Sequence, residues 1–244
     1  MSKSEIYEKE FELHLRDMDK NNKMRYSSYL NLLQEIGGLH ATELGHGLSE
    51  EIRTGKAWIV IAWKLEIFKR PSWNEKIKVR TWIGKIDKIY HYRDYEILDS
   101  KNEVVAKAVA QWVMLDTVNK RIVKTEESYA LEFPIVNRED YDNSVKKISS
   151  KVNIDNLTQI YEYMVEKRDV DKNNHMNNII YLDLALEGLD DCIIDNISNI
   201  EIHYKTECKY NDKIVFANEV VDCENKIYIL DENKEKLHAL VILK

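Results

Sequence analysis

The hydrophobic pattern of the first half of the chain predicts one helix among several strands. Residues 27–44 (SSYLNLLQEIGGLHATEL) are typical of a helix that ends before Gly45. In residues 76–83 apolar and polar side chains alternate, as in a strand with one buried face. Further strands are predicted at residues 5–15, 57–69, 89–98 and 103–115. This half is therefore predicted to run strand, helix, four strands.

The same order of elements is predicted again in the second half. A strand at residues 158–167 precedes a helix at about residues 178–190, whose sequence NIIYLDLALEGLD is apolar nearly all round. Such a helix is buried on most of its sides, as it would be when a sheet wraps around it. Between the halves, residues 131–156 lack a clear period and are predicted to form a surface linker. Four strands are predicted after the second helix, near residues 198–208, 213–222, 226–231 and 236–243.

A sequence repeat supports this division. Residues 16–30 (RDMDKNNKMRYSSYL) and 168–182 (RDVDKNNHMNNIIYL) are identical at nine of fifteen positions, with an offset of 152. Residues 64–77 and 201–214 align more weakly, with an offset of 137, and share the pattern of a strand, a polar break and a second strand. The chain is therefore predicted to contain two copies of one fold unit.

The two copies differ in the residues that can do chemistry. His175 in the second copy takes the place of Lys23, and Glu207 takes the place of Arg70. Cys208 takes the place of a proline. The titratable and nucleophilic candidates thus lie in the second copy, which is predicted to carry the active site.

Asp171, Asn173 and His175 are spaced two residues apart, just before the second predicted helix. In an extended segment such side chains share one face, and the N–H groups at the start of a helix favour negative charge. A histidine there can act as an acid, a base or a hydrogen-bond donor near neutral pH. This arrangement suits the stabilisation of an oxyanion.

The same loop fits a metal site poorly. Asp169, Asp171 and Asn173 match the first three ligand positions of an EF-hand loop, but Asn174 and Ile180 stand where that loop needs glycine and glutamate. A zinc site would need a second histidine nearby. The sequence therefore predicts no metal and no cofactor.

Composition and charge narrow the classes of function. The 244-residue chain has a net charge of −7, which argues against nucleic acid as the main partner because phosphate binding needs a basic face. No apolar run approaches the roughly 20 residues of a membrane helix, and the start, MSKSEIYEKE, lacks the apolar core of a signal peptide. Three cysteines without CxxC spacing indicate free thiols in a reducing compartment. A cytoplasmic protein without membrane contact is predicted.

Two stretches of the second half resemble the acyl-acyl carrier protein thioesterases of bacteria and plants. The signature is residues 169–178 (DVDKNNHMNN) followed by Tyr181, and the second active-site stretch is residues 204–208 (YKTEC). The resemblance covers nearly the whole chain. The first half is similar to the family's amino-terminal domain at Trp58 through Trp73, Thr81-Trp82, Gly84-Lys85, Arg93-Asp94 and Trp112.

The resemblance implies an α+β fold, a tandem double hotdog with two long helices, each wrapped by an antiparallel sheet. Residues 1–130 would form a non-catalytic hotdog that binds the acyl chain, residues 131–156 a linker, and residues 157–244 the catalytic hotdog. The implied reaction is hydrolysis of fatty acyl-acyl carrier protein to free fatty acid and carrier, which ends fatty acid synthesis. The implied partner is acyl carrier protein with a phosphopantetheine-linked acyl chain. A monomeric pseudo-dimer or a homodimer is expected.

Carried over by position, the resemblance implies four catalytic residues: Asp171, Asn173, His175 and Glu207. In one mechanism Glu207 is the general base for water, while His175 and Asn173 orient the water or stabilise the oxyanion. Asp171 would then fix the loop. In the other mechanism Cys208 is a nucleophile paired with His175 and Asn173. Neighbouring side chains on a regular strand point to opposite faces, so only one of Glu207 and Cys208 can face His175 unless a bulge intervenes, and Glu207 is favoured.

Three further interpretations use the same features. An acyl-CoA thioesterase would need the same chemistry, and a hotdog enoyl-thioester hydratase would use Asp and His without Glu207. A non-enzymatic acyl-thioester sensor would need a DNA-binding appendage. An acidic enzyme that acts on an acidic carrier would also need a local basic patch. The candidate cations for that patch are Lys64, Lys69, Arg70, Lys76, Lys78, Arg80, Lys85 and Lys88.

Overall fold

The computed structural model describes residues 4–124, 134–142 and 144–244. The chain divides into two compact units, the first ending at Val145 and the second running from Lys146 to Lys244. The predicted linker, residues 131–156, falls partly outside the described residues, and its described part contains a short 3-10 turn at Ile154–Asn156. Within the described ranges, no helix combines the length and the apolar character needed to cross a membrane.

The first unit contains one long helix and an antiparallel sheet. The long helix is α1 (Tyr26–Glu43), and a seven-residue helix, α2 (Leu48–Thr54), follows it. The strands are β1 (Tyr7–Glu12), β2 (Lys56–Ile67), β3 (Lys76–Asp87), β4 (Tyr90–Leu98), β5 (Val104–Asp116) and β6 (Arg121–Val123). They pair antiparallel in the order β1-β3-β4-β5-β2, and β6 pairs with the end of β5. The predicted order of elements is confirmed, with α2 and β6 as additions.

Helix α1 buries one face within the first unit. Tyr29, Leu33 and Ile36 are fully buried and recur at helical spacing. Gly37 allows the sheet to approach closely, because a Cβ atom there would lie 2.9 Å from the Tyr95 hydroxyl. The helix ends at Glu43, and Gly45 turns the chain with a φ of +88°, which confirms the predicted end.

The second unit repeats this topology. Its elements are β7 (Thr158–Met164), α3 (Ile180–Glu187), α4 (Asp191–Ile194), β8 (Asn199–Tyr204), β9 (Lys213–Val221), β10 (Glu224–Asp231) and β11 (Leu237–Leu243). The strands pair in the order β8-β11-β10-β9-β7, which corresponds strand by strand to the order β2-β5-β4-β3-β1 of the first unit. The two units therefore share one arrangement of elements, as the sequence repeat predicts.

Helix α3 is shorter than the sequence predicts. It has eight residues and stops at Glu187, whereas apolar residues continue to Leu189. The Tyr161 hydroxyl donates a hydrogen bond to the carbonyl of Leu184, which is the acceptor that the N–H of Gly188 would use in a longer helix. Gly188 also lies against β7, since a Cβ atom there would clash with the Ile160 side chain. A contact with a neighbouring strand therefore ends this helix.

Candidate active site

The motif loop of the second unit is a turn built around Asp171. The N–H of Asp171 donates to the carbonyl of His175 at 2.8 Å, and its Oδ1 accepts from the N–H groups of Asn173 at 2.8 Å and His175 at 3.3 Å. Asn174 takes a left-handed conformation with a φ of 61°, which asparagine tolerates better than most residues. Asp171 thus fixes the backbone of the residues that carry the Asn173 and His175 side chains.

The residues after β8 lie directly beside this loop. The N–H of Met176 donates to the carbonyl of Cys208 at 2.8 Å, and His175 pairs with Lys209 as an isolated antiparallel bridge. This pairing brings Glu207 to His175, with 3.2 Å between Oε2 of Glu207 and Nε2 of His175. Both side chains stay open to solvent, at 34% exposure for His175 and 49% for Glu207. The structure therefore joins two predicted site residues that are 32 positions apart in the sequence.

Glu207 and Cys208 differ in burial, although the strand predicted to carry both of them ends at Tyr204. Glu207 is exposed beside His175, whereas Cys208 is fully buried. Burial raises the pKa of the Cys208 thiol to about 12, so the thiol is protonated near neutral pH. The N–H of Cys208 donates to the Tyr181 hydroxyl at 3.1 Å, which ties this position to α3. The geometry thus favours a packing position for Cys208 over that of a thiolate nucleophile.

Asp171 also orients the side chain of Asn173. The amide Nδ2 of Asn173 donates to Oδ2 of Asp171 at 3.3 Å, and Asn173 itself is exposed. An amide nitrogen carries two hydrogens, so one N–H of Asn173 remains able to donate to a bound group. The Asp171 carboxylate thus orients the Asn173 amide so that one of its N–H groups faces solvent.

The matching loop of the first unit has the same backbone. The N–H of Asp19 donates to the carbonyl of Lys23 at 2.8 Å, and Oδ1 of Asp19 accepts from the N–H groups of Asn21 at 2.8 Å and Lys23 at 3.0 Å. Asn22 is left-handed with a φ of 56°, as is its counterpart in the second unit. The N–H of Met24 donates to the carbonyl of Pro71 at 2.7 Å, as the N–H of Met176 donates to the carbonyl of Cys208. The repeat predicted from sequence therefore extends to individual hydrogen bonds.

The chemistry of this first loop is different, because Arg70 occupies it. Nη2 of Arg70 donates to Oδ2 of Asp19 at 2.6 Å and to the carbonyl of Met24 at 2.8 Å, and the guanidinium lies 4.4 Å from the centre of the Tyr26 ring. Burial raises the pKa of Asp19, but hydrogen bonds from Lys23 N–H and from Arg70 outweigh it, so the net shift is downward. A structural ion pair thus stands where the second unit has an exposed carboxylate and an imidazole.

An open pocket of about 430 Å³ adjoins Glu207 in the second unit. Its lining contains three lysines and two carboxylates, and Nζ of Lys209 lies 4.0 Å from Oε1 of Glu207. The pocket is therefore positively charged overall, which suits an anionic partner. The lining residues are Lys205, Thr206, Glu207, Lys209, Asp212 and Lys236. This set is not predictable from the sequence, because Lys236 comes from a different strand connection and no local pattern links it to the others.

The predicted basic patch on the first unit is largely neutralised. Five of its eight cations form ion pairs with carboxylates that lie elsewhere in the sequence, and one of these acids, Glu8, contacts two of the cations. The sequence could not reveal this, since the acids come from β1 and from connections outside the strands. The five paired cations are Lys64, Lys69, Arg70, Lys78 and Arg80.

The carboxylates of the EF-hand-like triplet are already engaged. Oδ2 of Asp169 accepts from the N–H of Glu166 and from the Tyr163 hydroxyl, each at 2.8 Å, while both oxygens of Asp171 accept hydrogen bonds within the loop. Across the described parts of the chain, no three His, Cys, Asp or Glu residues group closely enough to hold a metal ion.

The two units share one strand order, each with a helix and an antiparallel sheet, and the second carries the solvent-exposed His175–Glu207 pair. Together these features define a tandem protein with a candidate active site in its second unit. Comparison with protein families makes this specific: the chain belongs to the acyl-ACP thioesterase family. The model of that family's N-terminal domain matches residues 4–133, and the model of its C-terminal domain matches residues 153–239. The family resemblance of the sequence is thereby confirmed.

Among curated relatives, the chain is similar to the chloroplastic oleoyl-acyl carrier protein thioesterase of Coriandrum sativum, with 26% identity over 227 residues, 85% of this chain and 61% of that protein. It is equally similar to the dodecanoyl-[acyl-carrier-protein] hydrolase of Cinnamomum camphora, with 26% identity over 83% of this chain and 56% of that protein. The chain thus spans about three fifths of the length of these relatives.

Solved structures establish the fold. An acyl-ACP thioesterase from Bacteroides thetaiotaomicron superposes with a TM-score of 0.87 at 18% identity, covering 98% of this chain and 97% of that one. The 12:0-ACP thioesterase from Umbellularia californica gives a TM-score of 0.83 at 19% identity, covering 99% and 97%. The predicted fold class, α+β with hotdog units, is confirmed.

Proposed function

We propose that this protein hydrolyses the thioester between a fatty acyl chain and the phosphopantetheine of acyl carrier protein, which ends fatty acid synthesis. Membership of the acyl-ACP thioesterase family supports the reaction class. The observation that carries the proposal for the site is the 3.2 Å contact between His175 and Glu207, found in the second unit and replaced by an Arg70–Asp19 ion pair in the first.

Glu207 is the general base in this proposal. The Nε2–H of His175 donates to Oε2 of Glu207, which holds the carboxylate in place and leaves Oε1 to accept a proton from water. The resulting hydroxide attacks the carbonyl carbon of the thioester. When the tetrahedral intermediate collapses, the carbon–sulfur bond breaks, and the proton held by Glu207 passes to the departing thiolate. A positioned base of this kind contributes about 10²–10⁴-fold in rate.

Asn173 stabilises the carbonyl oxygen of the thioester, and Asp171 orients Asn173. The Asn173 amide, oriented by its hydrogen bond to Asp171, donates its second N–H to the oxygen as negative charge develops there. Asp171 does not touch the substrate in this scheme. It fixes the turn through its hydrogen bonds to the backbone of Asn173 and His175.

The first unit, predicted as residues 1–130, binds the acyl chain in this proposal and takes no part in the chemistry. Its motif loop supports that division, since Arg70 fills the position of the base and is only 9% exposed. The carrier would approach the lysine-lined pocket beside Glu207, where positive charge complements an acidic partner. The predicted cytoplasmic location and the choice between monomer and homodimer stay predictions.

The proposal is tested by thiol release from a series of acyl chains on carrier protein and on CoA. We expect activity on the carrier substrates, a loss of about 10²-fold or more with Glu207→Gln, and near wild-type rates with Cys208→Ala. His175→Ala serves as a second inactive variant.

Three results would contradict parts of this scheme. Full activity of Glu207→Gln with an inactive Cys208→Ala would reverse the assignment of the attacking group. A preference for CoA thioesters would replace the carrier. Hydration of an enoyl thioester without thiol release would replace hydrolysis altogether.

A further inference from the structure

The strand that leads to Glu207 ends in a bulge that both units share. The N–H groups of Lys205 and Thr206 both donate to the carbonyl of His238, at 2.8 and 3.2 Å. In the first unit, the N–H groups of Phe68 and Lys69 both donate to the carbonyl of Val105, at 2.9 and 3.1 Å. His238 and Val105 therefore occupy the same position in the two units. Because the bulge forms with valine in the first unit, it does not require a histidine side chain.

The carbonyl at this bulge is bonded differently in the two units. In the first unit the Tyr29 hydroxyl donates to the carbonyl of Lys69 at 3.2 Å. In the second unit the matching carbonyl, that of Thr206, lies 3.1 Å from Nδ1 of His238 instead. A carbonyl can only accept, so Nδ1 of His238 carries the hydrogen.

The matching tyrosines have different partners in the two units. Pro71 has no N–H to donate, and in the first unit the Tyr29 hydroxyl donates to the carbonyl of Lys69. Cys208 has an N–H, and it donates to the Tyr181 hydroxyl at 3.1 Å. The second unit thus uses two side chains, His238 and Tyr181, where the first unit uses one.

We infer that His238 is a positioning residue for Glu207. The peptide group before Glu207 includes the Thr206 carbonyl, which His238 holds, and the peptide group after Glu207 includes the Cys208 N–H, which Tyr181 holds. Since each peptide group is planar, holding both of them fixes the two backbone dihedrals of Glu207. The direction of the Glu207 side chain toward His175 follows from those dihedrals.

The surroundings of His238 suit this task. The residue is 4% exposed, and burial lowers the pKa of its imidazole, which keeps the ring neutral with a fixed donor at Nδ1. The Thr206 hydroxyl adds a hydrogen bond to the carbonyl of Leu237 at 3.2 Å, so two side-chain hydrogen bonds join the segment before Glu207 to β11 beside the two backbone ones. A general base displaced by about 1 Å can lose about 10²-fold in rate, so such anchoring matters for catalysis.

The test compares two variants of His238 with a matched control, and it rests on the proposed thioesterase function. His238→Val places the first unit's residue at this position, and His238→Asn puts an amide N–H near the position of Nδ1. His203→Val is the control, because His203 is another buried histidine of the second unit, at 3% exposure. We expect His238→Val to lower kcat by about tenfold or more with little change in KM, and His238→Asn to recover most of the loss. The control should keep wild-type kcat.

The NMR signals of the His175 ring give a readout that does not depend on turnover. We expect His238→Val to move them toward their position in Glu207→Gln, and His238→Asn to leave them near wild type. An unchanged His175 signal and kcat in His238→Val, or an asparagine variant no better than valine, overturns the inference. If the wild-type protein releases no thiol from any acyl thioester, the proposed function fails, while the NMR comparison still decides whether His238 positions Glu207.

Discussion

Arg70 ties the segment after β2 to the motif loop of the first unit, and its replacement by methionine tests how much that connection contributes to stability. The guanidinium makes a 2.6 Å ion pair with Asp19 and two hydrogen bonds to the carbonyl of Met24, and the side chain is 9% exposed. Removing one partner of a buried ion pair costs about 3–5 kcal/mol. Asp19 is 22% exposed, so water can partly replace the lost contact, and we expect Arg70→Met to lower the free energy of unfolding by about 2–3 kcal/mol.

Urea unfolding measures this loss, and two further variants identify its cause. Arg53→Met removes an exposed ion pair with Glu50, in which Arg53 is 72% exposed, and should change stability by at most about 0.5 kcal/mol. Adding Asp19→Asn to Arg70→Met removes the stranded carboxylate and should restore about 1 kcal/mol or more. The reasoning is refuted if Arg70→Met is no worse than Arg53→Met, or if the second substitution restores nothing.

Two further predictions follow from burial. Cys192 and Cys223 are exposed, so a thiol reagent at pH 8 should label both in the folded protein. Cys208 should react only after denaturation, because it is buried and burial raises its pKa to about 12. Rapid labelling of all three thiols in the native state would contradict this prediction. Burial and the charge of Arg93 lower the pKa of His40 to about 4. As the pH falls below 6.5, the unfolded state therefore binds a proton at this histidine before the folded state does. The free energy of unfolding should drop by up to about 3 kcal/mol between pH 6.5 and 4 because of this residue. His40→Gln should flatten that part of the curve of unfolding free energy against pH, and an unchanged slope would contradict the assignment.

The topology of both units could be predicted because the sequence contains an internal repeat. The motif that contains Asp171 and the weaker segment that contains Glu207 each recur at a fixed offset, so the two copies support each other's strand and helix assignments. The order of strands and helices, which depends on local sequence patterns, could therefore be predicted. The different burial of Glu207 and Cys208 does not come from a regular strand, because β8 ends at Tyr204 before either residue.

Contacts between segments that are distant in the sequence could not be predicted from local patterns. The end of helix α3 depends on Tyr161, which belongs to a strand some 20 residues earlier. The neutralised cations of the predicted patch depend on acids such as Glu8 and Asp142. The position of His238 against Thr206 depends on the register of β8 with β11, which one sequence does not specify. Short elements such as α2 carry too few residues to show a period.

The ion pair of the first unit limits how this copy could change. For it to carry the chemistry proposed for the second unit, Lys23 and Arg70 would have to become a histidine and a glutamate, and the replacement of Arg70 alone would leave Asp19 without its counter-ion. The hydrogen bonds that flank the proposed base in the second unit would also require changes at Pro71 and Val105. The Arg70 substitution would therefore lower stability before any activity could appear. The ion pair thus favours keeping the first unit as a structural copy.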